Sequence, residues 1–412
     1  MSKSNIWTKD FIIVFFVSLF LALNYYLLMA VISVYAMDTF ASSPSEAGLA
    51  SSIFVIGGLI ARLFTGKWNE LVGQKRLLYA GLILGLLTSL LYFAVNNIIF
   101  LLVVRFFHGV SFGISSTLML TIAANIVPRE RLGEGLGYFM LSVTLATAIG
   151  PFLGMYLTQH GSFNMIFTVC TIAAVLALLN NLFLSVPRIA ITKEQREELK
   201  GFKLSNFFEY RAIPIALVCL MSYGCYSSIL AFLTAYAKQI NLLNAASVFF
   251  VIYAVVILVS RPFTGRLFDA KGENINMYPA FIIYIIGFII LSTANHGFNI
   301  LLAAVFVGLG FGTIQSSSQA ICVKVTPSHR LGLANSTLYI FLDTGIAVGP
   351  YISGLLIPLI NYRGLYLTMA IVTLGTMFLY YLLHGKKAGH ATEEIQTESS
   401  NRNDDQAAGM EG

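Results

Sequence analysis

Charged residues are scarce in this chain. Asp, Glu, Lys and Arg together make up 11% of its 412 residues, whereas 57% are hydrophobic. Soluble globular domains carry about 25% charged residues, so the composition excludes a soluble domain as the main body of the protein. Most of the chain is therefore expected to be surrounded by lipid rather than by water.

Cysteine is also rare, and the reactive clusters of an enzyme are missing. The four cysteines fall inside apolar runs, which favours packing residues over a disulfide framework. We find no zinc-ligand spacing, no nucleophile elbow in a strand-turn-helix setting and no phosphate-binding loop. The sequence predicts a protein that is not an enzyme and that holds no metal and no cofactor. The cysteines are Cys170, Cys219, Cys225 and Cys322.

Long apolar runs are what the chain has instead. Each has roughly the 20 residues that a helix needs to cross a bilayer. The first run is too long for a signal-peptide core and has no small-residue cleavage site, so we interpret it as a retained span. We predict twelve spans, at residues 11–37, 46–66, 77–95, 98–124, 136–158, 163–186, 213–237, 244–266, 277–294, 299–323, 334–357 and 363–383.

Basic residues lie in alternate loops of this pattern. They follow the even-numbered spans and flank both ends of the chain, while the opposite loops hold little beyond Lys238 and Arg363. By the positive-inside rule both termini are cytoplasmic, in agreement with an even number of spans. This distribution also accounts for the net charge of +6, so no nucleic-acid partner is expected.

The second half of the sequence repeats the first at a fixed offset of 199 residues. The segment RLFTG that begins at Arg62 recurs as RPFTG at Arg261, and Gly150-Pro recurs as Gly349-Pro. Further Gly, Pro and Arg residues keep the same offset. An offset of six spans preserves orientation, so we expect two parallel six-helix repeats related by an axis along the membrane normal, with a solute site between them.

The limits of the two halves follow from the spans. Residues 11–186 are predicted to form the first bundle and residues 213–384 the second, with a charged cytoplasmic linker at 187–212. Residues 1–10 are a short cytoplasmic N-terminus, and the polar segment 385–412 is expected to be a disordered cytoplasmic tail. The predicted fold class is an all-α polytopic membrane protein.

The loop after the second span carries a signature. Its sequence at residues 66–76, GKWNELVGQKR, places a Gly, an acid, a second Gly and a basic cluster in order, and GRLFDAKG at 265–272 partly repeats it. This pattern resembles the loop signature of the major facilitator superfamily, with Glu in place of the usual Asp. The resemblance implies a cytoplasmic gate that holds the outward-open state, and topology-setting charge is the alternative. The candidate gate residues are Arg62, Gly66, Glu70, Gly73, Arg76, Arg261, Gly265 and Asp269.

Two inner motifs extend the resemblance. The segment RFFHG at Arg105 is similar to the family motif with a basic residue inside helix four, except that His108 replaces a Gln. A charge within a span costs roughly 2.5 to 3.5 kcal/mol, so Arg105 is expected to face a polar cavity or an acidic partner, or else to snorkel. The alternatives for His108 are a proton carrier and a hydrogen-bonded packing residue. A signature similar to that of proton-antiport exporters implies bending elements, or structural kinks, at Gly150, Pro151, Gly154, Gly345, Gly349 and Pro350.

Asp343 is the most informative single residue. It lies about nine residues into its predicted span, some 13 Å from the membrane surface and so near the midplane. A desolvated carboxyl group at that depth can take up and release a proton near neutral pH. The sequence predicts that Asp343 couples transport to protons or contacts the solute, and a structural hydrogen bond is the alternative.

The family architecture also implies that the first, fourth, seventh and tenth spans surround the cavity. Aromatic and small polar side chains with few fixed charges suit amphipathic organic solutes. The candidate cavity residues are Asn24, Tyr25, Tyr26, Tyr223, Tyr226, Ser227, Gln315, Ser318 and Gln319.

These features predict proton-coupled export of a small organic molecule by alternating access, driven by the proton gradient. The candidate proton-coupling residues are Asp343, His108 and Arg105. The alternatives are movement of a sugar, an amino acid or a metallophore-like metabolite by symport or uniport, and a channel, receptor or membrane enzyme. The expected partners are the solute, protons and the lipid bilayer, with a monomer as the working unit in the plasma membrane. The compact loops fit a bacterial protein.

Overall fold

The computed structural model describes residues 6–128, 132–185, 209–326 and 331–386. Side-chain surroundings are not described at 66–72, 132–134, 137, 262, 269 and 331–333. Most of the predicted linker and nearly all of the predicted tail lie outside these residues, so both stay predictions.

The described residues form twelve helices and no strand, which confirms the all-α fold class. The helical stretch Leu331–Tyr380 is broken at Asn361, whose backbone is not helical (φ 54°, ψ −178°), so it forms two helices, α11 (331–360) and α12 (362–380). A short π-helix, Tyr381–Gly385, continues α12. The other helices are α1 Lys9–Phe40, α2 Pro44–Val72, α3 Gln74–Leu91, α4 Ile98–Ile126, α5 Leu132–His160, α6 Phe163–Leu182, α7 Ile213–Gln239, α8 Leu243–Lys271, α9 Glu273–Ser292 and α10 Gly297–Lys324.

The helix ends follow from local chemistry. Thr8 and Asn97 cap α1 and α4, because their side-chain oxygens accept the backbone N–H groups of Phe11 (3.3 Å) and Phe100 (2.8 Å). Gly73 and Gly272 each separate two helices by a single residue with φ of 90° and 84°, a conformation that favours glycine. These two turns occupy repeat-related positions, so the duplication extends to the loops.

The offset of 199 residues is visible in the helices themselves. The second, third and fourth helices of the two halves begin 199 residues apart, at Pro44 and Leu243, Gln74 and Glu273, and Ile98 and Gly297. The packing repeats as well, since α1 lies against α5 and α2 against α4, as α7 lies against α11 and α8 against α10. The structure therefore consists of two related six-helix bundles.

Among the described residues, the most extensive contacts between the two halves are those of α1 with α7, α2 with α11, and α5 with α8. We call the end of the bundle that holds the α1–α2 and α7–α8 loops the distal end, and the end that holds Lys9 and Gly385 the terminal end. At the distal end the Ser33 hydroxyl donates to the carbonyl of Ala231 at 2.6 Å. A Cβ atom on Gly48 or Gly354 would lie 2.3 Å from a carbonyl oxygen of the other half. The halves are thus in direct backbone contact at the distal end.

Large apolar side chains cover the outside of the bundle. Leu359, Phe298 and Ile99 are 80%, 71% and 71% exposed. Eleven helical stretches in the described part are long and apolar enough to span a membrane, and one of them, Ala334–Gly385, covers both α11 and α12. The protein is therefore a multi-pass membrane protein, with lipid in contact with these side chains.

The side of the membrane that each end faces remains a prediction from the basic loops. We expect the terminal end to be cytoplasmic, because the basic residues concentrate there. A green fluorescent protein fused after Gly412 should therefore fluoresce, and alkaline phosphatase fused at the same place should be inactive. The reverse pattern would overturn the assignment of both termini to the cytoplasm.

Candidate functional site

An ion pair crosses the interface between the halves deep inside the bundle. Nη1 of Arg62 on α2 donates to Oδ2 of Asp343 on α11, and Nη2 of Arg62 lies 3.5 Å from the hydroxyl of Ser116 on α4. Arg62 lies four residues before the end of the predicted second span, and Asp343 lies nine residues into the predicted eleventh span, so the pair is within the membrane-spanning part of both helices. A carboxylate and a guanidinium stabilise each other there, where either charge alone would be costly.

The sequence had assigned these two residues to different places. Arg62 was a candidate for the cytoplasmic gate and Asp343 for proton coupling, and the structure brings them together. Asp343 keeps 14% of its side chain exposed and Arg62 keeps 31%, so water can reach both groups. Ser116 was not singled out, because a serine on an apolar helix face gives no signal of its own.

Two tyrosines lie near the pair, and a glutamine lies near one of them. Tyr26 and Tyr339 lie within electrostatic range of both Arg62 and Asp343. Gln319 is within hydrogen-bonding reach of Tyr339. Tyr26 and Gln319 were predicted cavity residues, whereas Tyr339 was missed because it lies on α11, outside the four helices implied by the family architecture.

Stacked aromatic side chains occur at repeat-related positions on either side of the interface. In the N-half trio, Tyr25 stacks on Phe112 (5.1 Å, 16°) and lies 5.3 Å from Phe54. In the C-half trio, Tyr226 stacks on Phe311 (4.4 Å, 8°) and on Tyr253 (5.5 Å, 20°). Phe54 and Phe112 correspond to Tyr253 and Phe311 at the offset of 199.

The predicted tyrosines of α1 and α7 meet in this region. Tyr223 and Tyr226 on α7 lie within electrostatic range of Tyr26 on α1. The Tyr223 hydroxyl is buried and has no hydrogen-bond partner within the described ranges. A buried hydroxyl without a partner is costly, so it is available to a polar group of a ligand.

Arg105 is fully buried in the interior of the N-terminal half. Its Nε donates to the carbonyl of Ala50 at 2.9 Å, its guanidinium lies 4.4 Å from the ring centroid of Phe54, and Nη2 is 3.6 Å from Sδ of Met29. No carboxylate contacts it among the described residues. The expected acidic partner of Arg105 is therefore wrong, and so is the snorkelling alternative, because the side chain is not exposed.

His108 and Asn24 lie beside Arg105, also inside the N-terminal half. Nδ1 of His108 is 3.1 Å from the hydroxyl of Tyr92, and the Asn24 amide donates to the carbonyl of Cys170 at 3.0 Å. A cavity of about 20 Å³ adjoins them, enough for one water molecule but not for an organic solute. In this conformation the cavity beside Asn24 and His108 is therefore too small for the solute.

Arg105→Lys is expected to destabilise the protein by about 1–3 kcal/mol, because lysine cannot keep both the hydrogen bond to Ala50 and the contact with Phe54. The measurement is the midpoint of thermal unfolding in detergent. Arg76→Lys is the control, because Arg76 is exposed. Equal midpoints for the two variants would show that the Arg105 contacts contribute little.

Several other predicted residues pack helices together. The Ser227 hydroxyl donates to Gly224 within α7 at 2.7 Å, and Ser318 is fully buried next to Cys219. The glycines of the two Gly-Pro motifs sit close to α1 and α7: a Cβ on Gly154 would lie 3.0 Å from the Leu27 carbonyl, and one on Gly345 would lie 2.3 Å from the Leu220 carbonyl. Close packing at these motifs is thus a fact, and bending stays a prediction. Gln315 is half-buried on α10. The other motif residues lie within α5 and α11, and they are Gly150, Pro151, Gly349 and Pro350.

The predicted gate is only partly described. The side-chain surroundings of Glu70, Asp269 and Gly66 lie outside the described residues. Arg76, Arg261 and Gly265 are exposed, and nothing lies within 4 Å of the place where a Cβ on Gly73 or Gly265 would be. The gate therefore remains a prediction.

Comparison with known proteins extends these observations. The profile of the Major Facilitator Superfamily matches residues 14–300 and 279–403. An MFS-type transporter of Methanocaldococcus jannaschii is 24% identical over 360 residues, which cover 85% of this chain and 92% of that protein. The multi-drug resistance efflux pump PmrA of Streptococcus pneumoniae is 25% identical over 342 residues, or 81% of this chain and 84% of the pump. The quinolone resistance protein NorA of Staphylococcus aureus is 21% identical over 386 residues, or 90% and 96%.

Solved structures share the fold at low sequence identity. A bacterial homolog of the human lysosomal transporter Spinster, in an inward-facing and unoccupied conformation, has a TM-score of 0.79 and 11% identity and covers 93% of this chain and 98% of its own. The peptide transporter POT has a TM-score of 0.76 and 13% identity, with coverage of 92% and 95%. Together with the duplicated six-helix bundles, the matched profile shows that this chain is a membrane transporter, not an enzyme, and that it belongs to the major facilitator superfamily.

Proposed function

We propose that this transporter exports a small organic molecule in exchange for protons, and that Asp343 is the residue that binds the proton. The observation that carries the proposal is the ion pair between Asp343 and Arg62, because it joins the two halves at membrane depth. A proton that neutralises Asp343 changes the attraction between the halves directly. Proton binding and the movement of the halves thus act on the same contact.

The physical step is the loss of one charge. When Asp343 is ionised, it holds α2 of one half to α11 of the other through a charge-assisted hydrogen bond. When Asp343 takes up a proton, Arg62 loses its counter-ion and the two helices lose most of their electrostatic attraction. The protonated carrier therefore differs from the ionised carrier in how easily α2 and α11 separate.

The distal end supplies the other element of alternating access. It is closed by the hydrogen bond of Ser33 to Ala231 and by the close backbone contacts of Gly48 and Gly354 with the other half. With that end closed, solute would enter from the terminal end, which the basic loops assign to the cytoplasm. Rocking of the two halves about their interface would then close the terminal end and open the distal one.

Export rather than uptake is supported by the names of two relatives, a multi-drug resistance efflux pump and a quinolone resistance protein. Uptake, or movement of a sugar, amino acid or metallophore-like metabolite, is the second candidate. The observation that favours it is Ala146, which is buried at the place where the signature of proton-antiport exporters has its first Gly. The transporter is proposed to work as a monomer in the plasma membrane of a bacterium, without a cofactor.

The test is solute-triggered proton movement in proteoliposomes. The purified full-length protein is reconstituted with a pH-sensitive dye inside the vesicles, and varied organic compounds are added outside. Antiport predicts that a transported compound moves protons in the direction opposite to its own, and symport predicts the same direction. Solute movement without any proton signal would contradict the proposed coupling.

A further inference from the structure

The ion pair of one interface has no counterpart at the other. Arg261 on α8 is the repeat partner of Arg62 on α2, since the two are 199 residues apart. By the same offset, the repeat partner of Asp343 is Thr144 on α5. α5 packs against α8 as α11 packs against α2. The α5–α8 interface therefore keeps the arginine but has a neutral threonine where the α2–α11 interface has its carboxylate.

Within the described ranges, Arg261 is an exposed cation without a partner. Its side chain makes no hydrogen bond and no ion pair within the described part of the chain. The hydroxyl of Thr144 donates to the carbonyl of Met140 at 3.1 Å, so it is already used within α5. Arg261 also lies within electrostatic range of Tyr339, the tyrosine that lies close to the Arg62–Asp343 pair. The unpaired charge thus belongs to the same region between the halves.

The Arg261 side chain lies on the face of α8 that packs against the other helices, and not on the face that contacts lipid. The residues 11, 7 and 4 positions before it, Phe250, Ala254 and Ile257, share its face of α8 and are 0%, 6% and 6% exposed. The opposite, lipid-facing side of α8 carries Val255 and Val259, which are 53% and 60% exposed. Arg261 is therefore exposed on the side of α8 that faces the other helices.

We propose that Arg261 binds the acidic group of the transported solute, and that this solute is an aromatic organic acid. An exposed guanidinium without a partner attracts an anionic group, and a carboxylate or sulfonate binds it with two parallel hydrogen bonds. The rings of the two aromatic trios are nearly buried and stack on one another in this conformation, so a ring of the solute would replace one of these stacking contacts. The unpartnered Tyr223 hydroxyl supplies a further polar contact. The solute then provides the negative charge that Thr144 does not. The inference rests on the proposed function only in taking the bound molecule to be the transported one.

The experiment compares an acid with its neutral amide. The full-length protein, in nanodiscs of zwitterionic lipid, is titrated calorimetrically with 2-naphthoate and with 2-naphthamide. We expect the parent to bind the acid at least about tenfold more tightly than the amide, because only the acid forms the charged pair. Arg261→Gln should remove this preference. Arg266→Gln should keep it, because Arg266 lies on the lipid-facing side of the same helix, eleven positions after Val255.

A second variant completes the ion pair instead of removing the arginine. Thr144→Asp places a carboxylate at the repeat-related position, so it should pair with Arg261 and abolish the preference for the acid. Thr144→Asn is its uncharged control and should keep the preference. Both variants retain Arg261, so a fold damaged by the loss of an arginine is not an explanation for either result.

Three outcomes would overturn the proposal. They are equal affinity for acid and amide, a preference that survives Arg261→Gln, and no binding of 2-naphthoate to the parent at millimolar concentration. Displacement of 2-naphthoate by anionic phospholipid added to the nanodiscs would assign Arg261 to lipid headgroups instead. Binding is measured without a proton gradient, so the preference can stand while proton coupling fails, and coupling can stand while the preference fails.

Discussion

Asp343→Asn is expected to reduce solute-driven proton movement in proteoliposomes to less than about one tenth of the parent rate, while solute still binds. Asparagine keeps the size of the side chain and can still accept a hydrogen bond from Arg62, but it cannot take up a proton. The loss should therefore fall on coupling more than on binding. Proton flux and solute binding are measured on the same preparation, the first with an internal dye and the second by titration.

Asp38→Asn is the matched control for this prediction. Asp38 also forms an ion pair between the halves, with Lys238, but at the distal end, where the two side chains are 40% and 49% exposed. Exposed pairs contribute about 0–1 kcal/mol, so this variant should retain most of the proton flux. Full flux in Asp343→Asn would remove Asp343 as the proton carrier, and His108 would become the residue to test.

Gly354→Val is expected to reduce transport at least about tenfold by preventing closure of the distal end. A Cβ at this position would lie 2.3 Å from the Pro44 carbonyl of the other half and 2.8 Å from Cα of Ser45. These are backbone atoms, which cannot rotate away as a side chain can. The carrier should therefore be held with its distal end open.

The position of the block can be measured with a membrane-impermeant maleimide. Ser33 is fully buried at the closed distal interface, so a cysteine introduced there reports opening. Labelling of Ser33→Cys should rise in the Gly354→Val background. Gly375→Val is the control, because nothing lies within 4 Å of its Cβ position and it loses a helical glycine in the same way. Unchanged labelling with Gly354→Val would show that the distal contacts do not limit closure.

The elements that sequence reasoning predicted are those set by local pattern. Twelve spans follow from apolar length, and the break between the last two was expected at 358–362, where the structure has it at Asn361. The second span was predicted at 46–66 but its helix is Pro44–Val72, because apolar length measures only the lipid-covered part of a helix. The sixth span was predicted to reach residue 186, but its helix ends at Leu182. The apolar residues that directly follow Leu182 are not helical, so apolar character alone placed the end too late.

The candidate site was harder to predict because its contacts join distant parts of the chain. Arg62 and Asp343 are 281 residues apart, and each was chosen for its own reason without any sign that they pair. The helix packing that brings them together depends on glycine contacts spread over both halves, such as that of Gly48 with Pro350. That Arg261 has no acidic partner on α5 could be recognised only after the structure had shown that its repeat partner Arg62 pairs with Asp343. The sequence repeat alone does not show which residues are in contact.

The brevity of the distal connections has a practical consequence. The helices are joined there by residues 41–43, 92–97, 161–162, 240–242 and 293–296, and by Asn361 alone between α11 and α12. Such short links give an antibody fragment almost no protruding epitope on that side and give a protease almost no segment to enter. A binder raised to fix one conformation should therefore recognise the terminal end, and a binder directed to the distal end would need an epitope inserted into one of these links.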